Sequence, residues 1–224
     1  MNSRLWTILA ESFPKLLEAG LTVTIPLTVA SFALALVISV IVALIQYANI
    51  RPLLPLCRFY IWLIRGTPLL VQLYVVFYML PEIGIMWEAF PVAVLVFGFN
   101  EGAYMAETIR GSLESVSRGQ MEAGYCVGMS YVQIMWHVVL PQAFRTAFPA
   151  LSNSLISMIK GTSLASTITV REMLIEARVI NGRVMETGGL YLEVAVIYLM
   201  FCTFLTWLQR ILEKRLARRG GMIK

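Results

Sequence analysis

The chain contains no aspartate, a single histidine, His137, and three cysteines in 224 residues. These absences remove whole classes of chemistry. An active site or metal centre is normally assembled from clustered His, Asp, Glu and Cys, so a membrane enzyme is a poor reading. Cys57, Cys126 and Cys202 lie far apart and form no Cys-x-x-Cys pair. Neither a disulfide framework nor a zinc site follows, and the three read as small apolar packing residues. Charge is scarce as well: 14% of residues are charged, against about a quarter in soluble domains. With 58% hydrophobic residues and a mean hydropathy of +0.76, the chain cannot hide its apolar surface by folding on itself alone, and a bilayer is its expected solvent. Lys and Arg exceed Glu by 18 to 13, but no basic stripe with interleaved aromatics suggests nucleic acid. Six of the eighteen cations fall between Arg210 and Lys224, behind an apolar run, as on the cytoplasmic side of a membrane protein. Lys160-Gly161-Thr162 lacks the Gly-x-x-x-x-Gly-Lys order of a phosphate-binding loop, so no bound ATP or other cofactor is expected. Pro14, Lys15 and Glu18 interrupt what would be the apolar core of a signal peptide, and none is expected.

The apolar runs predict an all-α polytopic membrane protein, a single domain over 1–224. Residues 3–18 read as a short amphipathic surface helix. The first span covers about 16–45; its core, Leu21–Ile45, is free of charge over 25 residues, long enough to cross roughly 30 Å of hydrocarbon. Asn49-Ile50-Arg51-Pro52 is a turn. The second span, 54–80, has Arg58 and Arg65 before its apolar run, seven apart and on one stripe with Arg51 of the turn. An interfacial segment to Arg65 and a kink at Gly66-Thr67-Pro68 are expected before Leu69–Leu80 completes the crossing. Further spans are expected at 91–112, 141–159 and 190–208, with a polar interlude at 118–137 and a long polar outer segment at Gly161–Gly189, part of which folds back into the protein. Five spans place the N-terminus outside and the C-terminus inside. Twelve cations then fall on inner segments and six on outer ones, in agreement with the positive-inside rule. Trp6, Trp62, Trp87 and Trp207 fall near the expected boundaries, as interfacial belts do.

Polar groups within the spans are costly and mark candidate sites. Glu101 lies in the third span beside Asn100; a second set, Asn153, Ser154, Lys160 and Ser163, surrounds the end of the fourth. Together they could meet a zwitterion, the carboxylate taking an ammonium and Lys or hydroxyls a carboxylate; helix–helix hydrogen bonds are the alternative. Glu107 and Arg110 are three apart and can pair locally as the helix leaves the membrane. His137 reads as a packing or surface residue. In the polar interlude, Glu122 near a helix N-terminus would favour the dipole. Ala123 and Gly124 would leave a bare face for another protein, Gly128 would permit a turn, and Pro141 would open the next span.

Gly119-Gln120-Met121-Glu122-Ala123-Gly124-Tyr125-Cys126-Val127-Gly128, closed by Val138-Val139-Leu140-Pro141, resembles the EAA loop of ABC-importer permeases, with Gly124 in place of the usual second Ala. Ala103–Gly111 with Arg118-Gly119-Gln120, and Arg65-Gly66-Thr67-Pro68, resemble permeases for polar amino acids of the histidine, glutamine and cystine type. Leu151–Ser154, Lys160–Leu164 and Ile168–Arg178 are most similar to cystine permeases, although Gly161 stands where those commonly have Asp. The resemblance spans roughly Leu16 to Trp207. It implies a permease subunit of an ATP-driven importer in a prokaryotic inner membrane, taking a polar amino acid of the cystine type. Gly119, Gln120, Glu122, Ala123, Gly124, Gly128, Leu140 and Pro141 would form a cytoplasmic coupling helix and its surroundings. The implied partners are a second permease chain, two ATPase subunits that use ATP and magnesium, and an extracytoplasmic solute-binding protein. An ion-coupled carrier or channel, with Glu101 as its cation site, is the alternative.

Overall fold

The computed structural model describes residues 2–219, with side chains from 4 to 216. The basic tail beyond Leu216 therefore lies partly outside the described residues. Every regular element within them is helical: α1 (Asn2–Ala19), α2 (Ile25–Tyr47), α3 (Leu54–Arg65), α4 (Leu69–Glu82), α5 (Ala89–Glu114), α6 (Arg118–Cys126), α7 (Tyr131–Ile134), α8 (Leu140–Gly161), α9 (Met173–Val184) and α10 (Thr187–Arg219).

The centre of the molecule is the pair α2 and α5. In lipid there is no hydrophobic drive between helices, so close van der Waals contact must hold them, and small residues permit it. On α2, Thr28, Ser31, Ala35, Ser39 and Ala43 are buried, as is Thr24 just before it. On α5, Gly98, Gly102 and Ala106 recur every four residues and are buried. A Cβ at Gly98 would come within 2.6 Å of Leu34, and one at Gly102 within 3.2 Å of Ile38. The buried hydroxyls cost little where they bond back to their own helix, as Thr28 does to the Thr24 carbonyl at 2.8 Å and Ser39 to that of Leu36 at 2.9 Å.

The expected surface helix at 3–18 is not separate from the first span. A π-helical turn, Gly20–Thr24, joins α1 to α2, and Arg4–Tyr47 forms one 44-residue helix. The apolar face of α1 packs on α9 and α10 through Leu16, Met173 and Ile197. Ser12 donates to Glu193 of α10, and Arg4 donates to the Val184 carbonyl at 3.2 Å. Gly20 belongs to the same contact, because a Cβ there would lie 2.7 Å from Phe201.

A second π turn, Met135–Val139, connects α7 to α8. Pro141 therefore does not start a helix after a loop, as the sequence suggested; it lies within helical backbone that runs on from Tyr131. Both π turns are followed by an aliphatic residue and a proline, Ile25-Pro26 and Leu140-Pro141. A helical proline lacks an N–H and crowds the carbonyl four residues back. A wider turn immediately before it relieves that crowding.

The second span is broken more sharply than a kink. α3 and α4 meet at 103° across Gly66-Thr67-Pro68. The third and fifth spans fall within α5 and α10. By length and apolarity, Arg4–Tyr47, Ala89–Glu114 and Thr187–Leu216 can cross a membrane, and the bent pair counts as a fourth if it is one crossing. The fourth expected span coincides with α8, but its polar residues, Gln142 to Asn153 among them, leave it outside that set. The Gly161–Gly189 segment folds back as expected: a 3-10 helix, Thr162–Ile168, and α9 bury Ala165, Ile168, Met173 and Ala177.

Candidate functional site

Two features remain for function: the α6–α7 segment at the end of α5, and the polar groups within the helix bundle. α6 is anchored from below. Gly124 is buried, and a Cβ on it would lie 2.7 Å from Ile134. Gly124 thus seats α6 on α7 and offers no bare face to a partner, contrary to the sequence reading. The same contact explains why Gly replaces the family's Ala here. Met121 adds a second anchor, its sulfur 3.8 Å from the Tyr47 hydroxyl of α2. Gly128 has φ +81° and open space around it, so the backbone leaves α6 by a left-handed turn that a side chain would disfavour. A reciprocal cap then starts α7: Gln133 N–H donates to Ser130 Oγ at 3.4 Å, and Ser130 N–H to Gln133 Oε1 at 2.8 Å.

Gly119, Gln120, Glu122 and Ala123 are exposed on α6, Pro141 is exposed, and Leu140 is half-buried against the Ile134 cluster. Glu122 falls beyond the first turn of α6, so the helix dipole does little for it. What sequence reasoning missed is an apolar patch around these residues. Tyr125, Val127, Val132 and Trp136 are all exposed, Val127 by 77% and Trp136 by 69%. The available signal was their presence in an otherwise polar interlude. Cys126 is exposed as well, not packed, and His137 lies at the surface with Nδ1 3.0 Å from the Gln133 carbonyl.

The six candidate path residues separate into distinct places. Asn100 is buried, and its amide donates to Gln72 Oε1 at 3.0 Å. Gln72 Nε2 in turn donates to the carbonyls of Ile64 (2.8 Å) and Thr67 (3.1 Å) and to Thr67 Oγ1 (2.7 Å). This network fastens the broken α3–α4 elbow to α5 by satisfying carbonyls that the bend leaves unpaired. Asn100 is consumed by it and is not open to a solute. Glu101 points elsewhere, toward Ser154 of α8. Asn153 and Lys160 are exposed on α8; Asn153 Oδ1 accepts from Gln209 Nε2 of α10 at 3.4 Å. The Ser163 hydroxyl donates to the Lys160 carbonyl at 2.8 Å.

Sequence reasoning also missed Glu172. Fully buried at the start of α9, its Oε1 accepts from the Leu174 and Ile175 amides at 2.6 and 3.2 Å, and its Oε2 from the Tyr198 hydroxyl at 2.7 Å. Burial pushes its carboxyl up to about 7 despite these donors. Glu107 and Arg110 pair at 2.8 Å as expected, and Arg110 also pairs with Glu114 at 2.7 Å. Among the described residues, no group of three or more His, Cys or Glu side chains could hold a metal.

Comparison with known proteins agrees with this arrangement. Residues 35–218 match the family described as "Binding-protein-dependent transport system inner membrane component". The chain is 44% identical to the L-cystine transport system permease protein TcyB of Bacillus subtilis, over 95% of this chain and 92% of the relative. It is 39% identical to the nopaline transport system permease protein NocM of Agrobacterium fabrum, over 88% and 85% of the two chains. Among solved structures, one titled as an amino acid ABC transporter with histidines superposes at a TM-score of 0.86 with 30% identity, over 92% of this chain and 96% of the other. The MetNI methionine ABC transporter in an inward-facing form shares the fold at a TM-score of 0.72 and 17% identity, over 86% and 92% of the two chains. Family match, relatives and superposition concur: the chain belongs to the binding-protein-dependent transport inner-membrane components, as an amino-acid ABC transporter permease subunit.

Proposed function

We propose that this chain forms half of the membrane path of an ATP-driven importer for L-cystine or a similar polar amino acid, and that α6 couples it to a separate ATPase subunit. The observation that carries the coupling role is the exposed apolar patch of Tyr125, Val127, Val132 and Trp136 around a helix that is rigidly seated through Gly124 and Met121. Exposed aromatic and aliphatic side chains on a polar segment suit a protein partner. ATP and magnesium belong to that partner, whose closure would move α6 and, through Tyr47 and Ile134, the inner ends of α2 and α8.

The cystine assignment rests on the 44% identity to TcyB along nearly the whole chain. For the path, Glu101 with Ser154 offers a carboxylate to an ammonium, and Asn153 and Lys160 offer an exposed polar face on α8. A bundle this small needs a second permease chain opposite that face to enclose a solute, and an external binding protein to deliver it. On this reading α8 is the fourth of five crossings, shielded by the partner chain, with the N-terminus outside and the C-terminus inside a prokaryotic inner membrane.

Two experiments test the proposal. Ala123→Cys, exposed on α6, should crosslink to the ATPase subunit in an assembled, active complex; no crosslink there would sink the docking role. Uptake by the reconstituted complex, measured over a panel of amino acids, should be highest for L-cystine. A preference for an unrelated solute would overturn the substrate while leaving the coupling role intact.

A further inference from the structure

An arginine stands at membrane depth with no anion paired to it. Arg65 ends α3 at the 103° elbow, and its guanidinium carbon lies 5.1 Å from the centroid of the Tyr104 ring. Tyr104 belongs to α5, a 26-residue helix apolar enough to cross a bilayer. At 1.5 Å per residue, Tyr104 is roughly 15 Å along the axis from Glu114 and roughly 22 Å from Ala89. Both Arg65 and Tyr104 are exposed. A charge at such a level in lipid costs about 2.5–3.5 kcal/mol, so charged residues there face protein or a water-filled path.

The surroundings hold this guanidinium without satisfying it. Gln72 Nε2 donates to the carbonyls of Ile64 and Thr67, on either side of Arg65, and Asn100 ties Gln72 to α5. The Tyr104 ring attracts the cation through its face, which leaves the N–H groups at the guanidinium edge unused. Among the described residues the Arg65 side chain has no hydrogen bond or ion pair. Glu107 feels its charge but gives both oxygens to Arg110, at 3.2 and 2.8 Å. Glu101 and Tyr104 leave α5 about 60° apart and roughly 4.5 Å apart along the axis, so they share a face. Lys160, the other cation near this path, is roughly 9 Å along α8 from Ser154, the neighbour of Glu101. Arg65 is therefore the nearer cation in level to Glu101. An α-amino acid carries its ammonium and its carboxylate on one carbon, and a close pair of opposite charges suits it.

We propose that Arg65 is the carboxylate-binding residue of the solute path, held in position by the Tyr104 ring and the braced elbow. This role presupposes the path through Glu101 proposed above. Arg65 donates two parallel bonds to the α-carboxylate, as its planar fork allows, while Glu101 takes the ammonium. Opposite charges on one face then select amino acids over simple amines and over simple acids.

The test measures binding of radiolabelled L-cystine, and of cystamine, which lacks both carboxylates, to the permease–ATPase complex in nanodiscs without the binding protein. If another amino acid leads the uptake panel, that acid and its decarboxylated amine take their place, so the substrate reading can fail while this test stands. The unmodified complex should bind the acid at least about tenfold tighter than the amine, the size of one charge-assisted contact. Arg65→Gln should erase that preference, and Arg65→Lys, which has no fork, should keep part of it. Tyr104→Leu should weaken acid binding severalfold and leave amine binding unchanged, whereas Tyr104→Phe, which keeps the ring, should change neither. Glu101→Gln should weaken acid and amine alike. An intact preference in Arg65→Gln overturns the proposal. So does its loss in Lys160→Gln alone, which would give the carboxylate to Lys160. Where Arg65→Gln does not assemble, Arg65→Lys decides: a reduced ratio supports the site, and an unchanged ratio marks a contact between chains and overturns it.

Discussion

Replacing Gly124 by Ala restores the residue usual in the family, yet it should damage this chain. The added Cβ would lie 2.7 Å from Ile134 Cγ1 and 2.9 Å from its Cδ1, inside any tolerable contact. Ile134 is fully buried among Leu113, Met135, Val139 and Ala143, so it cannot swing away, and α6 must lift instead. Overpacking of this kind costs about 1–3 kcal/mol. At about 2–4 °C per kcal/mol for a chain of this length, the thermal midpoint should fall by several degrees, and uptake should fall further because the displaced helix is the proposed docking element. Ile134→Ala alone should cost about 2–5 kcal/mol by leaving a cavity. Together the two changes fit, since the new methyl enters the vacated space. The double variant should be more stable than the sum of the single losses by over about 0.5 kcal/mol. Fluorescence-detected thermal unfolding of the purified chain measures this cycle. Losses that simply add would show that Gly124 is not wedged against Ile134 and that α6 is seated by other contacts.

Glu101→Gln should impair uptake far more than assembly or basal ATP hydrolysis, because the amide keeps the size of the carboxylate beside Ser154 but carries no charge for an ammonium; unchanged uptake would remove Glu101 from the path. Asn100→Leu should lower the thermal midpoint without selectively altering solute preference, as it frees Gln72 from α5 at a cost of roughly 0.6–1.7 kcal/mol; a changed substrate profile would return Asn100 to the path. Glu172 gives a pH dependence. Its carboxyl is raised from 4.5 to about 7 in the fold, so its contribution to stability is complete below pH 4.5 and lost as the pH rises through 7. Midpoints should fall across that window, and Glu172→Gln should flatten the fall; an unchanged pH profile in the variant would assign the effect to other groups.

Much was legible in the chain itself. The charge-free Leu21–Ile45 run and the apolar stretches of α5 and α10 determined spans on composition alone, since a bilayer sets both length and polarity. The order Glu122, Ala123, Gly128, Leu140, Pro141 marked the family, and Gly128 announced its left-handed turn because few other residues accept one. Tertiary structure decided the rest, because it turns on which faces meet. Periodicity could not reveal that α1 continues into α2: the π turn at Gly20–Thr24 packs at Gly20 against Phe201 and Met173, far away in sequence. Asn100 and Glu101 are neighbours with equal claims on paper. Their side chains leave α5 about 100° apart, so one fastens the elbow through Gln72 and the other faces α8. Gly124 looked like open space for a partner and is filled from within by Ile134. The apolar patch of Tyr125, Val127, Val132 and Trp136 exists only because two short helices, joined by one glycine turn, leave those side chains uncovered.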